Sequence, residues 1–541
     1  MLLARTISVA ARPRLRNPGV GSPSFSHWPT PVLLIAVLFA NLAYLRWACP
    51  FDLAPDEAHY WDWSRQLDWC FYSKGPLVAL LIRASCELLG ASAFAVRLPA
   101  ALCGIAILAG MAKLAYRHTG DRRFAFLVVA AAMTLPGMTA TSLLMTIDAP
   151  FLACWTWAAV CVQSALLPPL SAPERGEVSW NWCLAGCFVA LGLLAKLTML
   201  AFPVSIALLM LHQRRLRTWN LLPFGSIAAL GLIPMFIWNM REEGRGLLHT
   251  LGHTGHQEPW PGVLGPLGFL AGQFGILLGV WLIAWLRAVW TFRPTSHPQT
   301  VLLWWLSVPL LAICTLASFN TLGQPNWPAA AYITGFVLAM LWIRANWERR
   351  AVRSAILIAV GMGIAFNIYL RWPGAVRPAL AEFTGSPTPE RPAPVRQLDP
   401  TARLLGWSDL AREVDSVREA VFAETGEEPL VAGMTWTVPG ELGFYCQGHP
   451  RVYSFGLALA DRFSQYDLWR PNPVLDAQEF RGRTFVYVGE ALPEGAFDRM
   501  DPVRILTPTR DGVPVASWKI WVCRGFRGFA PPGERGHPLK Y

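Results

Sequence analysis

Charge is what this sequence has least of. Asp, Glu, Lys and Arg together make up 15% of the 541 residues, against about 25% in soluble domains. A soluble chain of this length would lack the polar residues to cover its surface, so the composition excludes a soluble globular enzyme, a disordered chain and a fibrous one. Also missing is any CxxC pair, which argues against a zinc ribbon or a dithiol redox motif. No GxxxxGK[ST] loop, HExxH helix or GxSxG elbow occurs, so activation of a substrate by ATP or a sugar nucleotide is not indicated. Most of the 11 cysteines sit in apolar runs (Cys103, Cys154, Cys161, Cys183, Cys187, Cys314), where the residue acts as a small hydrophobe. Two pairs, Cys49 with Cys70 and Cys446 with Cys523, could be joined in an oxidising compartment.

What is present in excess is apolar surface: 54% hydrophobic residues and 26 Trp. A membrane span needs about 20 apolar residues to cross a core of roughly 30 Å. Eleven such runs are expected, near 32–48, 96–116, 124–143, 147–167, 181–197, 198–212, 220–239, 263–286, 301–318, 328–344 and 354–370. The stretch 181–212 is divided at Lys196-Leu197-Thr198 into a tight hairpin. The run 76–90 is short and carries Arg83 and Glu87 four apart, which reads as an amphipathic helix on the membrane surface. With residues 1–31 inside, Arg5, Arg12, Arg14, Arg16, Arg117, Arg122, Arg123, Arg214, Arg215, Arg217, Arg293, Arg349, Arg350 and Arg353 all fall on the inner side. The net charge of +11 therefore needs no nucleic-acid partner. The expected class is a mainly α, polytopic transmembrane helical bundle spanning 32–370, with a first outer loop at 49–95. A Pro-rich linker follows at 371–399. Residues 400–541 read as a small soluble α/β domain outside the membrane, with a helix at Leu410–Phe422 and strands at Leu430–Met434, Arg451–Phe455, Thr484–Val488 and Ser517–Val522. The first span reads as a retained signal-anchor in the cytoplasmic (inner) membrane.

Ionisable residues in or beside spans are functional candidates, and here they gather toward the outer face. Pro55 can open a helix with Asp56 and Glu57 in its first turn. The helix dipole favours acids there regardless of function. Adjacent helical residues do not share a face, so one carboxylate can face a cavity while the other pairs with a cation such as Arg97. Lys74, before Gly75, can hold a phosphate or a lipid headgroup. Tyr60, Trp61 and Tyr72 can stack on a sugar or form part of an interfacial aromatic belt. Asp148 can cap the helix that Pro150 opens, serve chemistry, or both. Lys196 sits at the hairpin turn. Asn239, Gln324 and Asn326 can hydrogen-bond a polar ligand. His249, His253 and His256 are spaced to share a helix face and form the weak candidate site for a divalent metal cation; no cofactor is otherwise indicated.

The segments APDEAHYWDWSRQLDWCFYSKGPLVALLI, FAVRLPAALCG, TIDAPFL, LGLLAKLT, Trp238-Asn239 and QPNWPAAAY occur in that order. Together they resemble the bacterial GT-C glycosyltransferases of the protein O-mannosyltransferase and lipid A aminoarabinose transferase type, glycosyltransferase families 39 and 83. The tail motifs DPTARLLGWSDL and RVYSFGLALADRFSQYDLW are similar to the soluble domain of some bacterial members. The resemblance implies transfer of a sugar from a polyprenyl-phosphate donor to a lipid A, other glycan or protein acceptor on the outer face, by an inverting single displacement. It also implies Asp56 as the base within the catalytic Asp56-Glu57 pair, an acidic catalytic position at Asp148, and Lys74, Arg97 and Lys196 as the cations that bind the donor phosphate, Lys196 being matched to carrier-phosphate binding. Metal use differs among the relatives. The competing class is a transporter or flippase of a polyprenyl-linked or ionic substrate, which should show repeats and helices broken near the midplane.

Overall fold

The computed structural model describes residues 29–166, 180–214, 218–248, 264–320, 323–459, 461, 463–491 and 495–530. The helices of the membrane part are α1 (Pro29–Ala43, continued by a π-helical turn to Ala48), α2 (Pro55–Arg65), α3 (Leu77–Leu89), α4 (Ala93–Thr119), α5 (Arg122–Ala132), α6 (Pro136–Leu143), α7 (Asp148–Leu166), α8 (Trp180–Leu193), α9 (Ala201–His212), α10 (Leu221–Leu230) and α11 (Ile233–Arg241). They are followed by α12 (Leu264–Ile276), α13 (Val280–Thr291), α14 (Val301–Trp305), α15 (Val308–Ala317), α16 (Ala329–Ala345) and α17 (Arg350–Arg371).

Among the described residues, five helical stretches are long and apolar enough to cross a membrane. Two bent pairs bring the number to seven, α5–α6 at 77° and α12–α13 at 109°. Shorter apolar helices occupy Trp180–Leu193, Leu197–His212, Val301–Ala317 and Ala329–Ala345. Apart from α2 and α3, the described helices of the membrane part fall in the eleven apolar runs, and five to seven stretches are long and apolar enough to count as spans by length and composition. The chain is an integral membrane protein. The Arg-rich N-terminal residues 1–28 and most of segment 168–180, expected on the inner side, lie outside the described residues.

Local chemistry explains the helix ends. Ser92 accepts the Ala95 N–H to start α4, and Gly120, at φ +69°, closes it in the left-handed conformation that a side chain would disfavour. Small residues then let helices approach: a Cβ on Gly104 would lie 2.2 Å from Ser142 Oγ of α6, and one on Gly110 would lie 2.4 Å from a Thr156 carbon of α7. The core of the bundle is apolar and aromatic, built around Trp155, Phe202, Trp281 and Trp285. The surface-helix expectation for 76–90 corresponds to α3: Arg83 pairs with Glu87, and Val78, Ala79 and Ile82 are buried.

The stretch expected as a linker is packed onto the domain that follows. Its helix α18 (Arg377–Thr384) presents the buried Arg377, which binds Asp399 at 2.9 Å and Asp511 at 2.5 Å. The C-terminal domain holds α19 (Trp407–Thr425), β1 (Leu430–Gly433), α20 (Thr437–Tyr445), β2 (Val452–Ser454), α21 (Gln465–Leu468), β3 (Phe485–Val488), β4 (Phe497–Leu506), β5 (Thr509–Arg510), β6 (Val513–Pro514) and β7 (Trp518–Phe526). Its sheet runs β2-β1-β3-β7-β4, with β1 parallel to β2 and β3, and β7 antiparallel to β3 and β4. Side chains alternate between its faces. Val486, Val488, Ile520 and Val522 meet α19 through Leu410, Val414 and Val421. Phe485, Tyr487 and Cys523 face the other way, into a cluster that also takes in Cys70, Tyr72 and Trp238 of the membrane part.

The two sides of the sheet also separate one cysteine pair. Cys446 belongs to the cluster on one side of the sheet and Cys523 to the cluster on the other. Both are free thiols, as are Cys49 and Cys70.

Candidate active site

The loop after α1 separates its two acids as helical geometry requires. Glu57 is fully buried. It reaches back to the Ala54 N–H at 2.8 Å and accepts the Met145 N–H at 2.7 Å. Arg97 grips it from Nε at 3.0 and 3.1 Å and from Nη2 at 2.8 Å. The other Arg97 N–H groups reach Cys49 Sγ, the Phe51 carbonyl and the Asp52 carbonyl. All five guanidinium donors are thus engaged, and the side chain is 2% exposed. This corrects the expected phosphate contact for Arg97: its place is to hold Glu57, and through it the start of α2. Asp56, one residue earlier, is exposed and accepts a hydrogen bond from Tyr60 Oη at 3.3 Å, one helical turn on.

A second cluster joins three predicted residues from distant parts of the chain. Lys196 Nζ donates to one oxygen of Asp148 at 2.7 Å, and Asn326 Nδ2 donates to the other at 2.7 Å. The Lys196 ammonium also lies 5.6 Å from the centre of the Phe151 ring. The hairpin division at Lys196 is observed: α8 ends at Leu193, and a 3-10 turn over Leu197–Leu200 leads into α9. The two clusters belong to one assembly of loops. Met145, bonded to Glu57, stands three residues before Asp148. Leu77 donates to the Leu194 carbonyl at 3.0 Å, which brings the turn carrying Lys74 against the turn carrying Lys196.

Gly75 makes that approach possible. A Cβ there would lie 2.1 Å from the Leu194 carbonyl oxygen and 2.6 Å from its carbon. Gly75→Ala is expected to displace the Lys74 turn and lower stability by about 1–3 kcal/mol, as overpacking does. Gly137→Ala, at a helical glycine with open space around its Cβ position, should not be destabilising. Comparative thermal melts of the two purified variants would check this, and equal melting temperatures would contradict it.

Three residues expected to touch substrate are instead in protein contacts. Trp61 is 3% exposed and meets Phe444 edge-on at 4.9 Å and His449 at 5.2 Å. Tyr72 is buried, its N–H donating to Gln465 Oε1 at 2.8 Å and its ring 5.0 Å from Phe463. Asn239 braces the end of α11, donating to the Met235 carbonyl at 2.9 Å and accepting the Leu247 N–H at 3.0 Å. For Trp61 and Tyr72 the reason is the C-terminal domain, which covers this side of the loop; Asn239 is taken up by the backbone of its own helix end. Gln324 is exposed beside Asn326. His249, His253 and His256 lie outside the described residues. Among the described residues, no three His, Cys, Asp or Glu side chains are grouped to hold a metal.

Docking of the C-terminal domain uses residues that the sequence did not single out. The Asp52 carboxylate accepts the Trp407 N–H at 2.9 Å at the start of α19, and Leu53 N–H donates to Tyr445 Oη at 2.7 Å. Burial raises the Asp52 carboxyl above its ordinary range, while the backbone donors from Ser408 and Trp407 oppose that. Asp62, beside Arg65 on α2, is pushed up to about 6, chiefly by burial.

The model of the family described as dolichyl-phosphate-mannose-protein mannosyltransferase matches residues 73–238. The lipid A galacturonosyltransferase RgtD of Rhizobium johnstonii is 30% identical over 303 residues, 55% of this chain and 62% of that protein. The chain therefore spans somewhat under two thirds of the curated relative it matches. Among solved structures, ArnT from Cupriavidus metallidurans in the apo state superposes with a TM-score of 0.60 at 15% identity, covering 91% of this chain and 97% of that one. The same enzyme bound to undecaprenyl phosphate gives a TM-score of 0.58 over the same shares. With the fold of ArnT and a match of residues 73–238 to the mannosyltransferase family, this chain is similar to the bacterial GT-C glycosyltransferases of the protein O-mannosyltransferase and lipid A aminoarabinose transferase type.

Proposed function

We propose that the protein is an integral-membrane glycosyltransferase that moves a sugar from a polyprenyl-phosphate donor to an acceptor hydroxyl on lipid A, another surface glycan or a protein. The observation that carries this reading is the opposite placement of two adjacent acids: Glu57 locked to Arg97, Asp56 exposed at the end of the bundle where the loops converge. Undecaprenyl phosphate bound to ArnT, which has the same fold, supports a lipid-linked donor. The galacturonosyltransferase relative supports lipid A as the acceptor class.

In this reading the acceptor oxygen attacks the anomeric carbon, the bond from that carbon to the carrier phosphate breaks, and Asp56 takes the acceptor's proton. One displacement inverts the anomeric centre. The departing polyprenyl phosphate is already a stable anion, so it needs cations and not a second acid. Lys196 can supply one, because its ammonium has three donors, Asp148 takes one, and the Asp148–Asn326 bond fixes the acid that aims it. Lys74 is the second cation, on the neighbouring turn. Arg97 acts indirectly, by holding Glu57 and so the turn that carries Asp56. The eleven-span arrangement, with the N-terminus inside and residues 400–541 outside the cytoplasmic (inner) membrane, is part of this proposal. It places the loops at the outer leaflet.

A transporter would share the two bent helix pairs. The breaks at 133–135 and 277–279 hold Met-Thr-Leu and Leu-Leu-Gly, with no ionisable side chain to hold an ion at either break. Mass spectrometry of lipid carriers and surface glycans from a deletion strain tests the proposal. A glycosylated polyprenyl phosphate should accumulate while one sugar disappears from a surface glycan. Unchanged carriers and glycans would refute it.

A further inference from the structure

The seam between α2 and α20 contains an acid that the reaction above does not use. Gly440 of α20 rests directly on the backbone of α2: a Cβ there would lie 2.8 Å from the His59 nitrogen and 2.9 Å from the Ala58 carbonyl carbon. The next residue, Glu441, is fully buried. Neither of its carboxyl oxygens has a hydrogen-bond partner among the described residues. An ionised carboxylate in such a position would be very costly.

Its surroundings make that cost larger. Asp52 and Glu57 lie near enough to act on it electrostatically, and so does Arg97. Arg97 is the nearby cation, and Glu57 already holds it with both carboxylate oxygens. On its own helix Glu441 acts on Tyr445. From α21 it is felt by Tyr466, behind which stand Asp62 and Arg65 of α2. His59 of α2 stacks on Tyr466 at 4.9 Å. Two acids and one occupied arginine thus face a carboxyl group that has no donor of its own.

We propose that Glu441 is a positioning residue that seats the C-terminal domain on α2 as an uncharged carboxylic acid, and that ionising it loosens the seam. Burial is the first cause that raises its carboxyl well above the ordinary range, and Asp52 and Glu57 add to it. The sign follows by linkage. The closed seam holds a proton that the opened seam releases, so closure is firmest in acid and weakens as pH rises above the ordinary carboxyl range. One such proton changes the opening equilibrium by about tenfold per pH unit. Asp62 and Asp467, both pushed up to about 6 mainly by burial, add slope of the same sign, so a variant must isolate the part due to Glu441.

The test is hydrogen–deuterium exchange of peptides covering 55–65 and 437–445, on the full-length protein in lipid nanodiscs. Wild type and Glu441→Gln are compared at matched pH from 5.5 to 8.5. The ratio of wild-type to variant opening should grow by up to about tenfold per pH unit, because glutamine keeps the shape but cannot ionise. Glu441→Leu, uncharged and of similar size, serves if the glutamine variant does not fold. A ratio that stays flat across this range with either variant would overturn the proposal. The measurement needs no transfer assay, so it can fail while the transferase reading stands, and the reverse.

Discussion

Asp56→Asn should insert and fold like the wild type and lose transfer by about 10²–10⁴-fold, the usual contribution of a positioned general base. The side chain is exposed at the start of α2, and its bond from Tyr60 Oη can be kept by the asparagine oxygen. The substitution removes a proton acceptor without opening a cavity. The deciding measurement is the rate of sugar transfer from a polyprenyl-phosphate donor by purified protein at saturating donor. Equal rates for variant and wild type would remove Asp56 from the base role. Because Tyr60 contacts Asp56, Tyr60→Phe is a useful companion that leaves the carboxylate in place.

Arg97→Met should act in the opposite manner, through stability. It leaves Glu57 fully buried with only the Ala54 and Met145 N–H groups for company. Removing one partner of a buried ion pair costs about 3–5 kcal/mol. A large fall in the melting temperature of detergent-purified protein is expected. The double variant Glu57→Gln/Arg97→Met should recover part of that loss, since no charge is then stranded. A single variant that melts with the wild type would show that Glu57 and Arg97 do not brace α2. The contrast between the neighbours is the useful result: one acid whose loss stops chemistry, and one whose partner's loss unfolds the loop.

Much of this arrangement was legible because it follows from local rules. Adjacent helical positions point apart, so Asp56 and Glu57 could not share a role. Gly75 marked a close backbone approach, and the Leu194 carbonyl fills the space. Lys196 interrupted an apolar run too long for one helix. In the C-terminal domain the four strands with apolar β character were readable, and β4 was not. Its sequence, Phe-Asp-Arg-Met-Asp-Pro-Val-Arg-Ile-Leu, is mostly exposed and lacks an apolar period. Helix α20 was hidden by Pro439 and Gly440 inside it.

The placements that failed share a cause. Trp61 and Tyr72 are rings that a sugar, a membrane interface or a protein partner would all select, and nothing nearby in sequence says which. Their partners Phe444 and Gln465 lie in the C-terminal domain. The resemblance matched Arg97 to the phosphate-binding cations, while the local reading also let it pair with one acid of the first loop; that it is spent wholly on Glu57 depends on a fold that brings the starts of α2 and α4 together. The Cys446–Cys523 pairing was open only while the side of the sheet each residue faces was unknown.

The seating of the C-terminal domain has a consequence for how the molecule is made. Tyr72 finds its partner Gln465 across 393 positions of sequence, and at synthesis rates of about 5–20 residues per second that interval is roughly 20–80 s. During it the newly inserted helix bundle carries a loop in which Trp61 and Tyr72 lack their partners Phe444 and Gln465. Ribosome stalling or proteolytic loss of the last domain would therefore leave a sticky, half-finished surface at the bilayer edge, a natural target for quality-control proteases.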